Sequence, residues 1–209
     1  MSSNRGGRRA RLAAAGLVIA GSLLLDQSRV AALEVELPLE SAHVISSEAG
    51  VSRIVLDFGA LEQVRDELVT SAHVRIPLPN RAPGEDLDLV LYGLSTPWRR
   101  TVPTWTSPWR TPGGDLDESA SSSVITLDAR QPVPFLRLDV THLVRAMLAG
   151  EVPANGFIMT TPRGGFSESE MVVLGGTILS GDLMVNYRKL TALGIQDGGR
   201  ERLDRKRGR

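Results

Sequence analysis

The 209-residue chain contains no cysteine. No disulfide can staple it, no cysteine can act as a nucleophile, and a lipid anchor on an N-terminal cysteine is excluded. Stability has to come from a packed core. Histidine is scarce: His43, His73 and His142 stand far apart in sequence. G-x-S-x-G and H-E-x-x-H are both missing, so the sequence offers neither a nucleophile elbow nor a zinc-hydrolase helix. Nothing singles out a pair of carboxylates of the kind that cleaves glycosidic bonds. A polysaccharide-cleaving enzyme is therefore the remote alternative, and a non-catalytic protein the expectation. Positive charge is also lacking in the body of the chain, where residues 33 to 199 hold 13 basic against 21 acidic residues. Phosphate attraction needs the opposite sign, so nucleic acid is not an expected partner.

Long hydrophobic runs are absent as well. The apolar stretch Leu12 to Leu25 has 14 residues, short of the roughly 20 that a helix needs to cross about 30 Å of hydrocarbon. It follows Arg5, Arg8, Arg9 and Arg11 and is followed by the small residues of Val30-Ala31-Ala32. A basic start, a short apolar centre and a small-residue cut site make a secretory signal peptide over residues 1 to 32, with an uncleaved anchor as the rival reading. The expected location is secreted or periplasmic, with no transmembrane span once the signal is removed. Residues 33 to 190 then form one domain, and 191 to 209, ending RERLDRKRGR, form a flexible basic tail.

What fills the domain reads as strands and turns. In "SRIVLDFG", Ile54, Leu56 and Phe58 alternate with Arg53, Val55 and Asp57, the period of a sheet with one buried face. Similar segments follow in "AHVRIPLP", "LDLVLYGL", "SSVITLD", "PFLRLDVT", "GFIMTTP", "EMVVLGG" and "DLMVNYRK", with an earlier strand within "LEVELPLESAHVISS". Turn sequences such as "PNRAPGED", "VPANG" and "PRGG" separate them. One clear helix interrupts the series in "DVTHLVRAMLAG", with Thr141 as its expected cap and Gly150 as its stop. A helical turn also fits "ALEQVRDELV". The fold class is all-β: a two-sheet antiparallel jelly-roll sandwich with one short helix after the D-V-T strand.

Four segments carry a family resemblance. "RIVLDFGALEQVRDELVTSAHVRIPLP", "PWRRTVPTW", "FLRLDVTHLVRAMLAGEVPANGFIMTTPRGGFSESE" and "DLMVNYR" follow in order over residues 51 to 188. Together they resemble the DNRLRE-type modules, jelly-roll β-sandwiches of secreted bacterial proteins, some of them classed as carbohydrate-binding modules. The D-V-T segment is also similar to that of the TGF-β propeptide jelly roll. Three positions depart from the pattern. Arg100 stands where the family has the Glu of W-x-E, Met147 stands where a Trp often sits, and the family's opening strand is not recognisable. The resemblance implies a jelly roll, and a carbohydrate or cell-surface polymer as ligand. An envelope protein is the alternative partner, with the module in a structural or assembly role.

Aromatic residues make up only 4% of the chain, yet all three tryptophans fall in "PWRRTVPTWTSPW", residues 97 to 109. Pro97, Pro103 and Pro108 exclude a long helix or a central strand there, so the stretch is an irregular crossover. Such a loop holds its shape only by burying apolar area. Trp98 and Trp105, with Thr101 and Thr104 serving local backbone groups, are expected to pin it to the sandwich. Trp109 precedes the most polar loop of the protein. With Arg110 and Thr111 it offers a sugar platform, an apolar ring beside groups that bind hydroxyls, and packing against the sandwich is the alternative. Asp139 and Thr141 are expected to serve backbone hydrogen bonds at the D-V-T corner. Asp115, Asp117 and Glu118, like Glu85, Asp86 and Asp88, invite a calcium reading against the default of a solvated turn. No other cofactor is expected.

Overall fold

Strand β1, Leu33–Ser46, is long enough to belong to two halves of a sheet. Its residues 33 to 38 pair with β9, Asp182–Arg188, and its residues 39 to 46 pair with β2, Ser52–Phe58. Between the halves the register shifts at Leu39 and Ser41, the kind of irregularity that bends a strand and lets a sheet turn a corner. The computed structural model describes residues 32–59, 61–176 and 180–189. The expected basic tail, and all but the last residue of the expected signal peptide, lie outside them.

The remaining strands are β3 (Leu68–Pro77), β4 (Leu87–Leu94), β5 (Leu116–Ser121), β6 (Ile125–Leu127), β7 (Phe135–Asp139) and β8 (Phe157–Thr160). All pairings are antiparallel, and the order across the sheet is β5-β4-β8-β2-β1-β9-β3-β7, with β6 also on β4. The protein is thus mostly β, built on one curled antiparallel sheet whose inner face makes the core. Alternation decides which side chains enter it. Ile54, Leu56 and Phe58 of β2 meet Val74 and Ile76 of β3, Leu89 and Leu91 of β4, Leu136 and Leu138 of β7, and Leu183 and Val185 of β9. Each such side chain taken fully from water contributes about 1.5–3 kcal/mol.

Two helices complete the fold, one more than expected. Helix α1, Thr141–Ala149, packs against β3 and β5 and buries Leu143, Val144, Ala146 and Met147. Gly150 ends it with φ +74°, as the sequence suggests. Thr141 is not its cap. The cap position is Val140, and the Thr141 hydroxyl reaches across to Ala72 instead, accepting from its N–H at 2.9 Å. Helix α2, Glu168–Val173, replaces the strand expected over residues 170 to 176. Ser167 accepts from Glu170 N–H at 3.3 Å, and the Glu170 carboxylate accepts from Ser167 N–H at 2.7 Å. That reciprocal capping box overrides the β preference of Val172 and Val173. The helical turn expected at 60 to 69 is a short 3-10 turn, Leu61–Val64, which gives way to β3.

Among the described residues no helix is long and apolar enough to cross a membrane.

Candidate functional site

An antiparallel sheet commonly leaves one face to water. Around β2 this one does not. Ile45 of β1, Val55 of β2, Ile158 of β8 and Leu94 at the end of β4 point away from the core and are all buried. The crossover between β4 and β5, residues 95 to 115, lies over them as a second apolar cluster holding Trp98, Trp105 and Trp109.

The rings are committed to this cover. Trp98 is 3% exposed; its Nε1–H donates to the Asn155 carbonyl at 2.8 Å, and it meets His43 edge-on at 5.5 Å. Trp109 is 7% exposed, and its Nε1–H donates to the Thr104 carbonyl at 2.7 Å. The solvent-facing platform expected of Trp109 is therefore not formed. The outer face of the sheet needs an apolar lid, and this ring fills it. Trp105 is half-buried. Thr104 accepts from Ser107 N–H at 3.2 Å, and Thr101 donates its N–H to the Trp98 carbonyl at 2.9 Å. At the D-V-T corner, Asp139 accepts from Thr141 N–H at 2.8 Å. The Thr141 hydroxyl and N–H hold the Asp139 carboxyl below its ordinary range.

Two charged residues of β2 fasten the crossover. Arg53 stacks over the Trp105 ring at 5.3 Å, while its Nε–H donates to Gly164 O at 2.6 Å and its Nη1 to Gly113 O at 2.7 Å. Burial lowers its pKa, offset in part by Tyr92. No carboxylate pairs with it in the described structure. Gly113 has φ +92°, and a Cβ there would lie 2.9 Å from the Trp105 ring and 3.0 Å from Arg53, so only glycine fits between them. Four residues along, the buried Asp57 takes a bidentate pair from Arg99, at 2.6 Å from Nε and 2.7 Å from Nη2. The hydrogen bond to Asp57 raises the Arg99 pKa despite partial burial.

Two open clefts flank the crossover. The first, about 410 Å3, is lined by Arg53, Ser95, Arg110, Thr111, Asp115 and Glu118. It unites Arg110 and Thr111 with two of the expected metal ligands and adds Arg53, but it leaves Trp109 out. Asp115 shapes its rim by accepting from Arg110 N–H at 2.9 Å, from Thr111 N–H at 2.8 Å and from the Thr96 hydroxyl. Burial pushes the Asp115 pKa up, but these hydrogen bonds outweigh it and hold the carboxyl below its ordinary range. The second cleft, about 430 Å3, is lined among others by Glu40, His43, Asp57, Arg99 and Arg100.

The acidic residues that invite a calcium reading do not come together in one cluster. Asp117 and Glu118 are successive residues of β5, so their side chains leave opposite faces of the strand. Asp115 is taken up by its loop, and Asp117 accepts from the N–H and hydroxyl of Ser119. Glu85 and Asp86 lie beside α2 in a separate cleft. Among the described residues no group of three His, Asp or Glu is placed to hold a metal ion.

Sequence reasoning missed Arg53, Arg99 and Asp57 as parts of a site. Their one signal was position, on the polar side of an alternating strand or beside Trp98, and that pattern reads equally as a solvated face. No family model matches the chain, and a search of curated proteins finds no match.

Proposed function

We propose that the protein is an exported, non-catalytic binding module, its curled sheet closed as a DNRLRE-like jelly-roll sandwich, that takes up a carbohydrate or cell-surface polymer in the cleft between Arg53 and Arg110. One observation carries this reading. Arg110, Thr111, Asp115 and Glu118 line a single open cleft together with Arg53. Arg53 is held rigid by a ring and two carbonyls, and among the described residues its Nη2 makes no hydrogen bond. Planar charged side chains and hydroxyls on a fixed scaffold suit hydroxyl-rich ligands, which need donors and acceptors set at defined angles. Recognition then rests on hydrogen bonds at the rim, with the tryptophans supplying rigidity.

The test is affinity electrophoresis of the protein through gels containing neutral or acidic polysaccharides. One polymer is expected to retard the protein, and Arg110→Ala or Glu118→Gln to weaken binding about tenfold, equivalent to one charged hydrogen bond of about 1.4 kcal/mol. If no polysaccharide retards it, the reading fails. Burial of Trp98 and Trp109 favours a second reading, a structural module docking another envelope protein. That role shows as self-association or as a stoichiometric partner cross-linked in the envelope.

A further inference from the structure

The two clefts open on one face of one strand. Side chains alternate along β2, so Arg53, Val55 and Asp57 share its outer face, with Arg53 lining the first cleft and Asp57 the second. Four residues of extended strand separate these two by about 13 Å. The crossover runs between them, lining the second cleft with Trp98 to Val102 and the first with Ser95, Arg110 to Pro112 and Gly114 to Leu116. The segment in the middle exposes Thr104, Thr106 and Ser107 to solvent. Their hydroxyls donate and accept hydrogen bonds but carry no charge.

Charge narrows the ligand. In the first cleft Arg53 and Arg110 stand against Asp115 and Glu118. In the second, Arg99 and Arg100 stand against Glu40 and Asp57. The Arg, Asp and Glu side chains of each set sum to zero formal charge, and Arg99 and Asp57 are already paired with one another. A balanced surface gives no long-range attraction to a polyanion or a polycation. It still presents donors and acceptors side by side, which an uncharged polyol can use.

We infer that the two clefts are the ends of one extended site, taking an uncharged, hydroxyl-rich polymer chain laid across the crossover in place of a single sugar or a polyanion. This rests on the polymer-binding reading of the first cleft. Contact at both ends makes the second binding event intramolecular, so affinity climbs once the ligand is long enough to reach.

Calorimetric titration of the full chain with β-1,4-linked glucose, xylose and N-acetylglucosamine oligosaccharides, from disaccharide to hexasaccharide, tests it, with polygalacturonate as the charged comparison. For one series, affinity is expected to rise at least about tenfold with length. His43→Ala and Arg100→Ala are expected to bring the hexasaccharide down to the level of the disaccharide. Arg137→Ala, on β7 in the other half of the sheet, is expected to keep the full gain. An affinity flat with length, a gain that survives Arg100→Ala, or tighter binding of polygalacturonate overturns the inference. Retardation in the polysaccharide gels that depends on Arg110, together with a flat length series, ends this inference alone. Retardation by no polysaccharide at all ends the polymer-binding reading and this inference with it.

Discussion

Trp98→Ala tests whether the crossover is part of the core or merely lies on it. The ring is 3% exposed, touches His43 and ties its Nε1–H to the Asn155 carbonyl at 2.8 Å. Truncating a buried Trp costs about 3–5 kcal/mol where the surroundings do not collapse into the space. Here collapse is resisted, because Val55 and Ile158 beneath the loop sit on sheet strands paired on both sides. The lost hydrogen bond adds less than its usual ~1 kcal/mol, since water can reach the Asn155 carbonyl once the ring is gone. Trp98→Phe keeps most of the apolar area and loses the N–H, for a cost of about 1–2 kcal/mol. Against a total stability of roughly 5–15 kcal/mol, the Ala variant should be badly destabilised and the Phe variant mildly so. Urea titration followed by far-UV circular dichroism measures both, and the slopes show whether the native state has loosened. If Trp98→Ala costs under about 1 kcal/mol, the outer face of β2 tolerates water and the crossover is not structural.

Further expectations concern the other fastenings. Arg99→Met leaves the Asp57 carboxylate, itself 4% exposed, without its guanidinium. A cost of about 1–3 kcal/mol is expected, less than for a fully buried pair because Arg99 is half in water, and adding Asp57→Asn in a double-mutant cycle should recover much of it. Ser167→Ala removes the cap of α2 and should cost about 1 kcal/mol, with faster amide exchange confined to Glu168–Val173. Asp115 has its carboxyl held below the ordinary range in the folded state, so its contribution is present above about pH 4 and is lost as pH falls further. Thermal melts between about pH 6 and about pH 3 should show a steeper acid decline in the natural protein than in Asp115→Asn.

The inner half of the fold was legible because alternation is a local signal. The segment at 87 to 94 reads as a strand from its sequence and is β4, and Gly150 stops α1 where expected. Helix α2 was misread because Val172 and Val173 carry strong β preference, while the S-x-x-E cap at Ser167 and Glu170, also local, was passed over. Strand β5 was hidden in the most polar loop. It is an edge strand with Asp117 and Glu118 on it, and edge strands carry charge where they face water. The site was less legible than the fold. Arg53 and Asp57 occupy polar positions of β2, which normally means solvent, and nothing local reports that a loop more than forty residues away will cover them. For Trp109 a sugar platform and packing both stayed open for the same reason. Its neighbours in sequence are polar, whereas its neighbours in space are the outward side chains of the sheet.

The covered outer face has a consequence for how any ligand site on this protein must work. A loop that seals a sheet face has to hold one conformation, since an opening would wet Ile45, Val55 and Ile158 together. The clefts beside it inherit that rigidity, because their walls are the same residues that fasten the loop: Arg53 in one, Asp57 and Arg99 in the other. Rigid walls lower the ordering cost of binding, which favours a site that selects by the angles of its hydrogen bonds over one that closes around its ligand. The same coupling makes the site fragile from below, so that a change at Val55 deforms both clefts at once without touching either. The other half of the sheet differs. Its outer face carries Glu36, Arg75, Arg137 and Asp139, all exposed among the described residues, and a substitution there stays local. Sensitivity to mutation on this protein should therefore follow the crossover and not the sheet as a whole.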